Sequence, residues 1–182
     1  MLLMAIFAPW AAGQQSLPLQ DGFESYSTNS TPTGWTTQTG TVNVQTDYPN
    51  SGTKVLRFNG SAGENKAMIL LPELTIPNGT TIAFYTCPED KTKSGSFALG
   101  YYKDDTFTSL FNYNGSDFAS AKTHEFKTET LNDIPEGARL AFSQSPQTAA
   151  WYWYVDDIAI YTYPQPTNLT YTNATQTTVE LS

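Results

Sequence analysis

The chain has 182 residues, enough to bury one good hydrophobic core, with room for a second only if that one is small or cut short. Charged residues are 14% and aromatics 14%, among abundant Thr, Ser, Asn and Gly, which suits half-buried strands and polar turns and leaves no Ala/Leu/Glu/Lys-rich runs for long helices. Nine basic against 17 acidic side chains give a net charge of −8, which argues against a nucleic-acid partner, and the lone Cys87 excludes an intrachain disulfide.

Residues 1–13 are almost wholly apolar and read as the apolar part of a signal peptide, with Ala11 and Gly13 as the small residues before a cut ahead of Gln14. The alternative is an apolar N-terminal strand. No later segment is apolar for long enough to span a bilayer as a helix, so secretion to the cell surface or medium is the expectation.

From Leu19 to Tyr163, short apolar or alternating runs are separated by turn residues. They predict strands over 42–45, 55–59, 67–71, 81–87, 97–102, 107–113, 125–128, 139–143 and 152–161. Turn signals fall between them, among them Pro49-Asn-Ser-Gly52, Pro77-Asn-Gly79, Asn114-Gly115 and Pro135-Glu-Gly137. No segment keeps a helical apolar stripe over three turns. Strands without crossover helices imply an all-β fold, an antiparallel jelly-roll β-sandwich occupying residues 14–163.

The closing strand is unusual. Simple alternation puts Tyr152, Tyr154, Asp156, Ile158 and Ile160 on one side and Trp151, Trp153, Val155, Asp157, Ala159 and Tyr161 on the other. Both sides are mostly apolar or aromatic, so the strand is expected to be central, or covered on its second face. After it, Pro164-Gln-Pro166 reads as a stiff linker. The run to Ser182, with Leu169, Val179 and Leu181, reads as the opening strands of a fibronectin type III domain that continues past the end of the sequence.

Little catalytic chemistry is legible. His124 is the single histidine and Cys87 the single thiol; neither carries a nucleophile signature, and two such residues are too few for a zinc site. Glycine-rich phosphate loops and Gly-x-Ser-x-Gly elbows are absent. A glycosidase carboxylate pair stays open among Glu24, Glu73, Asp104, Asp105 and Asp117, because such pairs are set by the fold rather than by spacing.

Two acidic clusters bracket the sandwich: Asp21-Gly-Phe-Glu-Ser25 near its start and Val155-Asp-Asp-Ile158 near its end. Side-by-side terminal strands would bring Glu24 to Asp156 or Asp157. A calcium ion taking carboxylate and carbonyl oxygens would then offset their mutual repulsion. The residues alone equally allow carboxylates standing in water, or paired with Arg57 or Arg139.

Several motifs occur in a familiar order. They are Phe23-Glu24, Pro32-Thr-Gly-Trp35, Ser51-Gly-Thr-Lys-Val-Leu-Arg-Phe58, Pro72-Glu-Leu74, Phe97-Ala-Leu-Gly-Tyr-Tyr-Lys-Asp-Asp-Thr-Phe107, Ile134-Pro-Glu-Gly-Ala-Arg-Leu-Ala-Phe142 and Val155-Asp-Asp-Ile158. In that order the chain from about Leu19 to Tyr163 resembles the choice-of-anchor J and cleaved-adhesin domains, MAM-like relatives found in secreted Bacteroidetes proteins. The resemblance implies a MAM-like or galactose-binding-like jelly roll, an extracellular or cell-surface location, no general enzymatic activity, and a structural calcium near the joined termini. Glu24 matches the Phe-Glu acid, and Asp156 and Asp157 match the Asp-Asp-Ile pair; Asp21 joins the metal candidates by proximity. The Tyr-Ser-Thr-Asn-Ser-Thr insert after Ser25 departs from the pattern.

Trp35, Trp151, Tyr152 and Trp153 are the candidates for a sugar-stacking platform, against the plainer reading that most of them are core. The sequence therefore reads as a non-catalytic binding or adhesion module for carbohydrate or a host or matrix glycoprotein. The alternatives are a purely structural spacer and a glycoside hydrolase.

Overall fold

The computed structural model describes residues 16–162. The signal-peptide reading of 1–13 and the linker and fibronectin type III reading of 164–182 lie outside those residues. Eleven strands succeed one another in chain order. They are β1 (Leu19–Asp21), β2 (Thr36–Thr39), β3 (Thr41–Gln45), β4 (Val55–Asn59), β5 (Ala67–Leu70) and β6 (Thr80–Pro88). Then come β7 (Ser96–Lys103), β8 (Thr106–Asn114), β9 (Glu125–Leu131), β10 (Arg139–Ser145) and β11 (Trp153–Tyr161), with one 3-10 turn at Gly115–Asp117. No helix among the described residues is long and apolar enough to cross a membrane.

The strands form two antiparallel sheets packed face to face, the jelly-roll sandwich expected from the sequence. One sheet runs β3-β4-β11-β6-β9, and β1 also pairs with β11; the other runs β2-β5-β10-β7-β8. The nine predicted strands are all present, most of them longer by one to three residues. β1 and β2 were not predicted, for a physical reason. β1 has three residues, and β2 is Thr-Thr-Gln-Thr, an exposed edge strand with no apolar face to betray it.

The core is aromatic. Trp153 stacks on Phe97 at 5.3 Å and 9°, and Phe97 stacks in turn on Phe142 at 5.4 Å. Phe58, Phe118 and Phe84 complete the layer with edge contacts. These rings come from both sheets, so the sandwich is held by interdigitated large side chains in place of a disulfide.

β11 corrects the simple alternation. Its pairing with β6 shifts between Asp156 and Ala159, and Asp157 adopts a left-handed φ of 48°. This β-bulge adds a residue on one edge and flips the phase of the residues beyond it. Trp153, Val155, Ile158 and Ile160 consequently all face the core, while Tyr154 and Asp156 face outward. At the bulge the neighbour of β11 also changes. β4 pairs with Trp153 to Val155, and β1 pairs with Ile158 to Ile160 along the same edge. The acidic pair sits at the junction.

Candidate functional site

The β3–β4 connection, residues 46–54, folds back over the outer face of its own sheet as a strap. Tyr48 places its ring edge against Tyr154 at 5.5 Å, and its carbonyl lies 2.8 Å from His124 Nε2. Lys122 lies over the Tyr48 ring at 4.9 Å. Beneath the strap a small second core forms from Val55, Cys87 and Tyr154. Burial, with the nearby Asp156 charge, pushes the Cys87 thiol up to about 12, so it is no nucleophile at neutral pH. Burial likewise lowers the His124 pKa and keeps the ring neutral. Cys87 and His124 therefore share a region without forming a catalytic pair.

The strap is gripped by three carboxylates. Asp156, fully buried, accepts the Asn50 and Ser51 backbone N–H groups on Oδ2 at 2.8 and 3.3 Å, and the Asp157 N–H on Oδ1 at 2.8 Å. Asp157 accepts the Ser51 hydroxyl and the Asn50 side-chain amide, both at 2.8 Å. Glu24 accepts the Thr53 and Lys54 N–H groups on Oε1 and the Thr53 hydroxyl on Oε2. Gly52, at φ 57°, lies so close to the Glu24 carboxylate that a Cβ there would collide with it. Glu24 therefore does not meet Asp156 and Asp157 as expected; each acid instead binds neighbouring residues of the strap. Its N–H and O–H groups reach every carboxylate oxygen of the three residues except Asp156 Oδ1, which the Asp157 N–H satisfies.

Burial raises the Asp156 carboxyl to about 6; the strap's N–H groups lower it, and the adjacent Asp157 charge raises it further. Hydrogen bonds from Thr53 hold Glu24 below its ordinary range. The two ion pairs among the described residues, Arg57–Asp47 and Lys127–Glu125, involve none of these acids. Arg139 instead donates to the Leu71 and Gly34 carbonyls and the Thr36 hydroxyl. The donor chemistry suits a hard cation: a buried carboxylate without a cationic partner, a second carboxylate beside it, and the Ser51 hydroxyl oxygen 2.8 Å from the latter. No group of three or more His, Cys, Asp or Glu side chains converges on one point among the described residues.

Asp21 leaves this group. It lies opposite Ile158, whose side chain is core, so it shares the inward face, whereas Asp156 lies on the outer face. There Asp21 helps to line a solvent-open recess of about 570 Å³ at the end of the sandwich, together with Gln20, Tyr26, Thr33, Trp35 and Pro72. Its Oδ1 accepts the Phe23 N–H at 2.9 Å and its Oδ2 accepts the Tyr26 hydroxyl at 2.9 Å. Burial raises the Asp21 carboxyl above its ordinary value, against the hydrogen bonds from Phe23, Tyr26 and Trp35. Burial and the Asp21 charge push the Tyr26 hydroxyl up to about 12 and keep it a donor. Trp35 is fixed behind them by an edge contact to Phe23 at 5.8 Å.

The aromatic platform does not assemble. Trp153 is wholly buried, its indole N–H donating to Thr86 Oγ1 at 2.7 Å, so it has no face for a ligand. Trp35 is 6% exposed and contributes only to the wall of the recess. Trp151 and Tyr152 are half-buried, and each carries a cation on one ring face: Lys93 at 4.3 Å and Arg57 at 4.5 Å. Tyr26 is a site residue that no local sequence pattern marks, because its role comes from meeting Asp21 across the turn after β1.

The glycosidase candidates disperse. Asp104 and Asp105 form the β7–β8 turn with φ of 49° and 56°, and Asp117 accepts the Asn114 N–H in the 3-10 turn. Glu24 belongs to the strap. Glu73 lines a second recess, of about 680 Å³, with Glu136 and Arg139, and both glutamates are exposed.

An antiparallel jelly-roll sandwich with a polar recess is the class of domain defined by this geometry. No protein-family model matches the chain, and no curated protein matches it. Solved structures do. The K1 cleaved adhesin domain of Lys-gingipain from Porphyromonas gingivalis W83 aligns with a TM-score of 0.60 at 18% identity, over 81% of this chain and 99% of that one. The K3 cleaved adhesin domain of the same protein aligns at 0.55 and 20% identity, over 80% and 98%. The CBM22-1 xylan-binding domain of Paenibacillus barcinonensis Xyn10C aligns at 0.56 and 15% identity, over 82% and 97%. At these identities the likeness is one of fold.

Proposed function

We propose that this chain is a non-catalytic binding module of an extracellular or cell-surface protein, and that it recognises carbohydrate or glycoprotein at the recess of Asp21, Tyr26 and Trp35. The observation that carries the reading is the recess itself. It is concave and open to water, and it presents an oriented acceptor–donor pair, Asp21 and Tyr26, beside an indole wall. Fixed polar groups on a preformed surface are what sugar recognition requires, since each hydroxyl must exchange water for a protein partner. The similarity in fold to cleaved adhesin and xylan-binding domains supports it. The thiol, the imidazole and the strap carboxylates are committed to structure, which supports binding over catalysis.

A glycan-array screen of the full chain, with Asp21→Asn and Tyr26→Phe as controls, tests the reading. Retention of defined glycans is the expected result; an array with no bound glycan would overturn it.

Calcium at Asp156 and Asp157, while Glu24 holds Thr53 and Lys54 of the strap, belongs to the same proposal as a stabilising element. What supports it is a buried carboxylate with no cationic partner. Chelation is expected to lower the melting temperature by several degrees, with recovery on adding calcium. An identical melt in excess chelator and in millimolar calcium would remove the metal from the account.

A further inference from the structure

The charge of the recess bears on which ligands it refuses. We infer that it selects by charge, accepting the hydroxyl-rich end of a neutral or amino sugar and rejecting uronic, sialic and sulfated sugars. This inference rests on the carbohydrate reading of the same recess.

Asp21 is the one acidic side chain among the ten residues lining the recess, and none of the ten is Lys, Arg or His. The Phe23 N–H donates to its Oδ1 and the Tyr26 hydroxyl to its Oδ2, with the Trp35 side chain as a further donor. An ionised carboxylate offers about four acceptor positions, so these donors leave capacity for one from the ligand. A sugar hydroxyl or an ammonium group would supply it. Tyr26 gives its own proton to Asp21 and keeps an oxygen lone pair free, so it accepts from the ligand as well. The remaining lining groups, among them Ser16, Gln20, Ser25 and Thr33, are neutral donors and acceptors that suit further hydroxyls.

An anionic ligand meets the opposite situation. Its carboxylate or sulfate would approach a partly desolvated aspartate with no cation lining the recess to shield the pair, on a protein of net charge −8. Like charges brought together in this way discriminate against the wrong partner even where shape permits it. The contrast with the strap is one of access: Asp156 is fully buried beneath it, so no acceptor capacity there faces an open recess.

The test is titration of the full chain, by tryptophan fluorescence and calorimetry, with methyl glucoside, glucosamine and glucuronate, and with longer array-positive glycans in matched neutral and acidic forms. Neutral and amino forms are expected to bind at least about tenfold more tightly than acidic ones at low salt. Asp21→Asn keeps an acceptor for the Phe23 N–H and offers an amide N–H to the Tyr26 oxygen, and it is expected to bring the acidic and neutral forms to within about twofold of one another. Equal binding of neutral and acidic sugars by the unaltered protein would overturn the inference, as would a preference that survives Asp21→Asn. Array binding indifferent to both Asp21→Asn and Tyr26→Phe would overturn it too, by moving the site elsewhere, and leave the carbohydrate reading standing. No binding of any sugar would remove both.

Discussion

Two aspartates, Asp21 on β1 and Asp156 on β11, lie close along the same strand junction and meet opposite fates. Asp156 faces outward, yet it is fully buried, because the strap of residues 46–54 crosses it and supplies the Asn50 and Ser51 N–H groups. Asp21 faces inward, yet it reaches water, because the sandwich ends there and leaves a recess. Burial raises both carboxyls. Each accepts three donors from the protein. The difference lies in access: Asp156 is sealed beneath the strap, so the residue organises structure. At Asp21 part of the acceptor capacity faces solvent, so the residue is available to a ligand. Facing in or out of a sheet does not by itself decide burial; what lies above the strand does.

Substitution at either acid puts this difference under strain. Asp156→Ala would leave the Asn50, Ser51 and Asp157 N–H groups beneath the strap without an acceptor. Urea unfolding is expected to show a loss of about 3 kcal/mol. A loss under about 1 kcal/mol would mean that the strap is held by its other contacts.

The pH profile separates the two regions next. Asp156 has a folded-state pKa of about 6 against an ordinary 3.8. The native carboxyl thus holds its proton where the unfolded one has lost it, and stability falls as pH rises from about 4 to about 6, then levels off. In chelator the Asp156 part of the fall is expected to be on the order of 2–3 kcal/mol, and Asp156→Asn should leave only the part that the raised Asp21 carboxyl contributes. Below that window Glu24, Asp90 and Glu125, whose carboxyls are held low by hydrogen bonds, work in the opposite sense. Their stabilisation is lost as pH falls through their folded pKa values. A stability maximum in mildly acidic buffer is the expected signature, and bound calcium would flatten the slope by holding Asp156 ionised.

Tyr48→Ala removes the ring that covers Tyr154 and the partner of Lys122. It should lower stability by about 1–2 kcal/mol. It should also speed alkylation of Cys87, which is buried beneath the strap, more than the global change predicts. Unchanged thiol kinetics would show that the strap does not open locally. The smallest stability effect belongs to Asp21→Asn: within about 1 kcal/mol by urea, since the amide keeps an acceptor while sugar binding is weakened. A large loss of stability there would erase the distinction between the two acids.

The order of motifs, the turn residues and the alternating runs were enough to place the strands and to name an all-β jelly roll. Each of those is a local property: turn dihedrals and period-two burial are written in neighbouring residues. The aromatic weight of β11 and its central, doubly covered position were legible in the same way. What failed was whatever depended on a single shift of register or on a contact across the fold. The bulge at Asp157 flips the second half of β11, and no residue type announces it. It sets Trp153 and Ile158 on one side and Asp156 on the other. Four aromatics looked alike as sugar platforms, but Trp153 became core, Trp35 a recess wall, and Trp151 and Tyr152 cation-covered rings. Paired termini suggested that Glu24 would meet Asp156 and Asp157 directly; instead all three hold the strap, which was not foreseeable because residues 46–54 read only as a turn. Sequence by itself determined the layers and the strands, which come from local periodicity and turn chemistry. Only the tertiary structure decided which acid is walled in and which is open, because that depends on long-range contacts that no local pattern encodes.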